Sequence, residues 1–314
     1  KYWSYFVRLL AGAVAATAPS ALGLVMPLGI SFYTFQAIGY LIDCFRGRHP
    51  AEKNPARFLL FISFFPQLIQ GPINRYGAME PQLTAAHSWE WERTKRALFV
   101  ILFGAMKKYA IANLTAPTIA AILDRNDPTL AGSMALLAIL LYSLQQYADF
   151  SGGIDMVLGV AQLFGIEMMP NFRQPYFSTS LGDFWRRWHI TLSGWFRDYI
   201  YIPLGGNRKG QARQLFNMFL VWAATGIWHG ASWNFIAWGL YYFVLLTIEK
   251  TFLLKYLKKG KVWPHLYTLF FVVLGWGLFT ANQPGAPLGL LLQKLFVPQL
   301  SLIHISEPTR LLSI

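Results

Sequence analysis

Long apolar stretches, broken at intervals by short polar loops, set the texture of this chain. VRLLAGAVAATAPSALGLVM, RALFVILFGAMKKYAIANLTA, TLAGSMALLAILLYSLQQYA and HLYTLFFVVLGWGLF each approach the roughly 20 residues a helix needs to cross a bilayer. One soluble core cannot absorb so many. The pattern predicts an all-α polytopic membrane protein of about eight or nine membrane segments, with no internal repeat and no soluble domain.

The loops give direction. LGISFYTFQAIGYLIDCF runs into RGRHPAEKNPAR, a basic, Pro-bounded loop that the positive-inside tendency places in the cytoplasm. FLLFISFFPQLIQGPINRY is short for a span, is broken by Pro66 and Pro72, and is flanked by Arg57 and Arg75, which predicts a re-entrant segment. LFNMFLVWAATGIWHGASWNFIAWGLYYFVLLTIEK crosses and returns, because EKTFLLKYLKKGK is basic again. With a helix start near Gln214, His229 falls about 15 residues in, roughly 22 Å along and at membrane depth.

Residues 171–213 carry seven Lys or Arg against two Asp and also read as cytoplasmic. Within them FWRRWHITLSGWF places Phe184, Trp188, Thr191 and Trp195 on one face of a helix, with the arginines mostly on others. That predicts an in-plane interfacial helix. IPLGGNRKG then makes a turn, with Gly205 and Gly206 permitting positive φ.

Composition agrees with a membrane solvent. Of 314 residues, 55% are hydrophobic and 17% aromatic, and only 13% are charged, about half the usual share of a soluble domain. The net charge of +13 comes from Lys and Arg clustered between apolar runs, which argues for cytoplasmic loops and against nucleic acid. The single cysteine, Cys44, excludes a disulfide framework and a CxxC site within the chain. Lys1 reads as the start of a fragment, and SLIHISEPTRLLSI, residues 301–314, as a foreign or disordered tail such as a read-through scar. Residues 1–300 read as a single membrane-embedded unit, incomplete at both ends.

Candidate chemistry is confined to a few polar groups. His229, in WHGASWN, is an ionisable side chain between two apolar helices, where neutral imidazole accepts a proton near physiological pH. Packing between helices explains it equally well. Gly226 and Gly230 beside it leave room for a substrate chain or a neighbouring backbone. His189 follows two arginines, and spacing alone favours a snorkelling surface residue. Arg186, Arg187 and Arg197, with Arg208 and Lys209, suit the phosphates of a nucleotide-bearing acyl donor, although topological charge explains any one of them as well. Gln67, Gln70 and Asn74 either line a cavity or satisfy the backbone of their own loop. Asp149 and Asp155 bracket a Ser-Gly-Gly break and need a cationic partner, Arg173 or Lys107. No nucleophile elbow, phosphate loop, HExxH metal motif or bound cofactor is indicated, and Asn113-Leu-Thr115 matches a glycosylation acceptor by chance inside an apolar run.

Five stretches, PLGISFYTFQAIGYLID, FISFFPQLIQGPINRY, QQYADFSGGIDM, NFRQPYFSTSLGDFWRRWHITLSGWFRDYIYIPLGGNRKG and TGIWHGASWNFIAWG, resemble the membrane-bound O-acyltransferase family, in its bacterial branch of alginate O-acetylation and teichoic acid D-alanyl transfer. The resemblance runs from about Pro27 to Phe279, and it departs from the family's F-R-A at Phe279-Thr280-Ala281. It implies that His229 is catalytic and that His189 is the second site residue. It further implies an enzyme of the bacterial inner membrane that moves an acetyl group from acetyl-CoA, on the cytoplasmic side, toward a polysaccharide hydroxyl outside. An extracytoplasmic partner protein would complete the transfer. Arg186, Arg187, Arg197, Gln67 and Asn74 are the expected donor- or substrate-binding residues. A non-catalytic transporter or flippase, with His229 as a gating group, and an inactive scaffold subunit are the competing readings.

Overall fold

The computed structural model describes residues 29–123, 132–230 and 232–280. Among them the fold is all-α, with a lone antiparallel bridge, Phe172 to Trp188, outside the helices. The expected segment VRLLAGAVAATAPSALGLVM and the tail 301–314 lie outside the described residues.

Helix α1 (Ile30–Phe45) leads through the basic loop to α2 (Pro55–Ser63), which starts where Asn54 accepts the Ala56 amide and Pro55 occupies the first turn. Past Ser63 the helix gives way to one 3₁₀ turn, Phe65–Gln67, and an extended stretch before α3 (Tyr76–Thr84). The chain doubles back here, as the prolines predict. Phe61 meets Tyr76 at 5.2 Å and Arg57 reaches Glu80 at 3.4 Å, so the two arms of the segment lie side by side.

Helix α4 (Trp91–Ala105) continues through a π-helical turn (Met106–Ala112) into α5 (Asn113–Leu123). Helix α6 (Gly132–Leu163) follows it back. YADFSGGIDM does not break this helix, contrary to expectation. Its glycines serve a close approach: a Cβ at Gly152 would stand 2.7 Å from the Gly104 carbonyl, and one at Gly104 2.6 Å from that of Gly152. Glycine inside a helix costs about 1 kcal/mol against alanine, and backbone contact between α4 and α6 offsets it. The same contact aligns the charges. Lys107 pairs with Asp155 and donates to Ser151 Oγ at 3.0 Å, while Lys108 pairs with Asp149 at 2.5 Å. The expected Lys107 is thus the partner of Asp155, Lys108 is that of Asp149, and Arg173 pairs with neither. Asn113-Leu-Thr115 lies in α5, with the Thr115 hydroxyl donating to the Ile111 carbonyl at 2.9 Å.

The short helices α7 (Leu181–Arg187) and α8 (Ile190–Phe196) lead through a π-helical turn (Arg197–Tyr201) and a loop to α9 (Gly210–His229) and α10 (Trp233–Ile248). A further π-helical turn (Glu249–Leu253) and α11 (Leu254–Leu257) precede α12 (Trp263–Thr280). The glycine turn is as predicted, with φ 107° at Gly205 and 55° at Gly206. The continuous helices Trp91–Ile122, Trp233–Leu257 and Trp263–Thr280 are long and apolar enough to cross a membrane. A large aromatic core gathers Phe184, Trp188, Trp238, Tyr242 and Trp276, from α7, α10, α12 and the α7–α8 break, against α5 and α6.

Replacing Lys107 by Met leaves Asp155 without its cation. Breaking a buried pair on one side costs about 3 kcal/mol, so Lys107→Met should lower the melting temperature of the detergent-solubilised protein. Lys107→Met combined with Asp155→Asn should recover most of the loss.

Candidate active site

FWRRWHITLSGWF is two helices, not the single in-plane helix its periodicity suggests. The break falls at His189, which adopts the left-handed conformation (φ 47°, ψ 53°), a region costing a side-chain-bearing residue roughly 1–2 kcal/mol. Neighbouring chain satisfies the backbone freed there. Ile190 N–H donates to the Asn171 carbonyl at 3.0 Å, and Arg173 N–H to the Arg187 carbonyl at 3.0 Å. Asn171 Oδ1 accepts both the Thr191 amide (3.0 Å) and the Thr191 hydroxyl (2.7 Å), and Thr191 Oγ1 accepts the Ile73 amide (2.9 Å). Phe184, Trp188, Thr191 and Trp195 are all buried in the protein rather than spread on an interface, and the break parts them: Phe184 and Trp188 pack with Tyr242 and Trp276, Trp195 with Ile73 and Tyr199. The break turns the His189 ring inward, where it is 4% exposed and meets Phe150 edge to face at 4.8 Å.

His229 is the last residue of α9, a helix of 20 residues that starts at Gly210, before Gln214, and it stands between two helices as expected. Gly230, with extended backbone, ends the helix and Ser232 opens α10. The two helices form a hairpin of exceptional closeness: a Cβ on Gly226 would lie 2.6 Å from the Phe235 carbonyl, and one on Gly239 2.6 Å from that of Trp222. The room beside His229 is therefore filled by a neighbouring backbone. Trp228 (4.8 Å), Trp238 (5.1 Å) and Phe279 (5.1 Å) enclose the imidazole.

The two histidines, 40 positions apart in sequence, line one cavity of about 180 Å³ with Phe150, Trp185, Leu192 and Trp238. Its walls are mostly aromatic. A second cavity of about 430 Å³ lies across Trp185 and Ser193, which line both, and receives Arg75, Arg186, Arg197 and Asp198. Asp198 fixes two of these arginines, accepting from Arg75 Nη2 at 3.1 Å and Arg197 Nε at 2.8 Å. Arg75 also lies 4.3 Å over the Tyr199 ring. Three guanidinium groups line it with one carboxylate, and a second carboxylate, Asp183, reaches Arg186 from outside the wall at 3.4 Å, so the vestibule keeps a net positive charge.

The expected site residues thus divide. His189 and His229 come together, Arg186 and Arg197 meet in the vestibule, and Arg187 is turned to Asp183 at 3.0 Å and lies on neither wall. Gln67 and Asn74 are fully occupied in their loop: Gln67 Nε2 donates to the Phe61 carbonyl, Asn74 Nδ2 to Gln67 Oε1 at 3.1 Å, and Asn74 Oδ1 accepts the Met169 amide at 3.1 Å. They shape the turn and line neither cavity. Sequence reasoning passed over Arg75 as a topological flank and Asp198 altogether. Among the described residues no three His, Cys, Asp or Glu side chains converge as metal ligands.

A helical membrane scaffold holding paired histidines in an aromatic chamber beside a cationic vestibule has the parts of a group-transfer site. The chain belongs to the membrane-bound O-acyltransferase family, whose model matches residues 48–284. It is 38% identical to the protein named "Probable alginate O-acetylase AlgI" in Azotobacter vinelandii, over 83% of this chain and 52% of that one. It is 36% identical to a peptidoglycan O-acetyltransferase of Helicobacter pylori, over 91% of this chain and 60% of that one. It is 30% identical to a teichoic acid D-alanyltransferase of Bacillus subtilis, over 82% and 70%. The chain spans about half the length of the alginate O-acetylases it matches.

Asn171→Ala removes the acceptor that holds Thr191 and leaves two buried donors unmet. At about 1–3 kcal/mol per orphaned group, the variant should melt earlier than wild type. Hydrogen exchange should rise first at the 188–191 amides.

Proposed function

We propose that this chain forms the transfer unit of an O-acyltransferase of the bacterial inner membrane, moving an acetyl group from acetyl-CoA on the cytoplasmic side toward hydroxyls of an extracytoplasmic polysaccharide such as alginate. The observation that carries this reading is the shared wall. A thioester whose phosphates rest in the vestibule needs only to pass Trp185 and Ser193 to bring its acyl end to the histidines. The names of the relatives, which concern alginate, peptidoglycan and teichoic acid, support a polymer acceptor.

In the mechanism proposed, Arg186, Arg197 and Arg75 bind the donor phosphates by charge-assisted hydrogen bonds. His229, neutral, takes the proton of the acceptor hydroxyl as its oxygen attacks the thioester carbonyl carbon. The tetrahedral intermediate collapses with cleavage of the C–S bond, and the proton passes from His229 to the departing thiolate. His189 polarises the carbonyl oxygen or orients the donor. The aromatic walls exclude water, which strengthens each of these interactions and suppresses hydrolysis of the thioester. A partner protein outside the membrane receives the acyl group or presents the polymer.

With labelled acetyl-CoA and polysaccharide supplied to membranes containing the protein, His229→Ala should lower label transfer at least about 100-fold at unchanged protein level. Arg197→Gln should raise the donor KM about tenfold with little change in kcat, as loss of a uniform binding contact does. Transfer by His229→Ala at the wild-type rate would refute the assignment of the base. Label that crosses the membrane without becoming attached would favour a transporter.

A further inference from the structure

The histidine cavity has buried polar groups that the protein itself does not satisfy. Trp185 Nε1, Trp238 Nε1 and both ring nitrogens of His189 are buried on its walls without a hydrogen-bond partner. The Trp276 indole N–H, also on the wall, is in the same condition. An unmet N–H in an apolar interior costs several kcal/mol, so such donors are retained where something else supplies the acceptor.

Trp238 is the best placed of them. It is 1% exposed and meets the His229 ring edge to face, at 5.1 Å and 81°. Trp185 (5.5 Å), Tyr242 (5.2 Å) and Phe279 (5.5 Å) hold its indole from the other sides. Its backbone is fixed as well, because the next residue, Gly239, is pressed against the Trp222 carbonyl. The indole is pinned by these contacts. Its ring lies beside the base on the cavity wall with an unmet N–H, and a donor held rigid in this way stabilises developing charge without reorganising.

We propose that the Trp238 Nε1–H donates to the carbonyl oxygen of the thioester and is a catalytic residue of the transfer, an inference that rests on the acyltransferase reading above. As the hydroxyl oxygen bonds to the carbonyl carbon, the C=O π electrons move onto oxygen, and this oxyanion accepts the indole N–H. When the C–S bond breaks the electrons return to restore C=O. Trp238 neither gains nor loses a proton. The hydrogen bond strengthens as charge builds on oxygen, so its effect falls on kcat rather than on donor binding. His189, which lines the same cavity, supplies the second donor.

The test measures transfer from acetyl-CoA to polysaccharide in membranes bearing wild type, His229→Ala, Trp238→Phe, and a protein with benzothienylalanine at position 238, which keeps the bicyclic shape and replaces N–H by sulfur. Both position-238 variants should lose about 100-fold in kcat with donor KM within threefold of wild type. If Trp238→Phe fails to accumulate, the isosteric variant decides. A benzothienylalanine protein with wild-type kcat overturns the inference and assigns any loss in Trp238→Phe to packing. If that protein is fully active while His229→Ala is not, only this inference fails. If wild type itself attaches no label, the acyltransferase reading fails and this one with it.

Discussion

Between Arg187 and Ile190 the helical ladder stops inside the protein, and everything around the candidate site depends on how the freed backbone groups are met. Water is unavailable to them, so each must find a partner in the chain. Residues 171–173 provide it, through the carbonyl and side chain of Asn171, the bridge at Phe172 and the amide of Arg173. These bonds hold His189 in a left-handed conformation that it would not otherwise favour. They also put two neighbouring residues to opposite uses, with Arg186 in the vestibule and His189 in the histidine chamber.

The glycine-tight hairpin of α9 and α10 is the complementary constraint. Backbone contact at Gly226 and Gly239 fixes the turn that presents His229 and sets Trp238 against it. Two elements distant in sequence thus meet across one small aromatic space, while the charges collect on the other side of Trp185 and Ser193. That separation suits the chemistry proposed. A thioester carries its negative charge at the phosphate end and reacts at an apolar end, and the two cavities divide along the same line.

Much of this was legible in the chain. Apolar runs gave the all-helical membrane class, Pro66 and Pro72 gave the doubled-back segment, and Gly205 and Gly206 gave the turn. His229 stood out as an ionisable group between apolar helices, whereas His189 reads by spacing as a surface residue, is in fact buried, and is paired with His229 only by the family resemblance. What escaped was set by tertiary contact. Ser151-Gly152-Gly153 looks like a helix break because glycine has poor helix propensity, yet it is the surface on which α4 lies. FWRRWHITLSGWF has the period of one helix, and only the pairing with Asn171, which no local pattern reveals, splits it in two. Asp198 looks like one more loop charge until the fold places Arg75 and Arg197 on its two oxygens.

We assign the chamber shared by His189 and His229 to the acyl end of the donor. A CoA thioester carrying a diazirine on a short acyl chain, photolysed in membranes containing the protein and mapped by mass spectrometry, tests it directly. Label is expected on the chamber walls, at residues such as Leu192, Trp222 and Thr225, and should be lost when excess acetyl-CoA competes. Competable label confined to α4, α5 or other surfaces remote from both histidines would contradict the assignment.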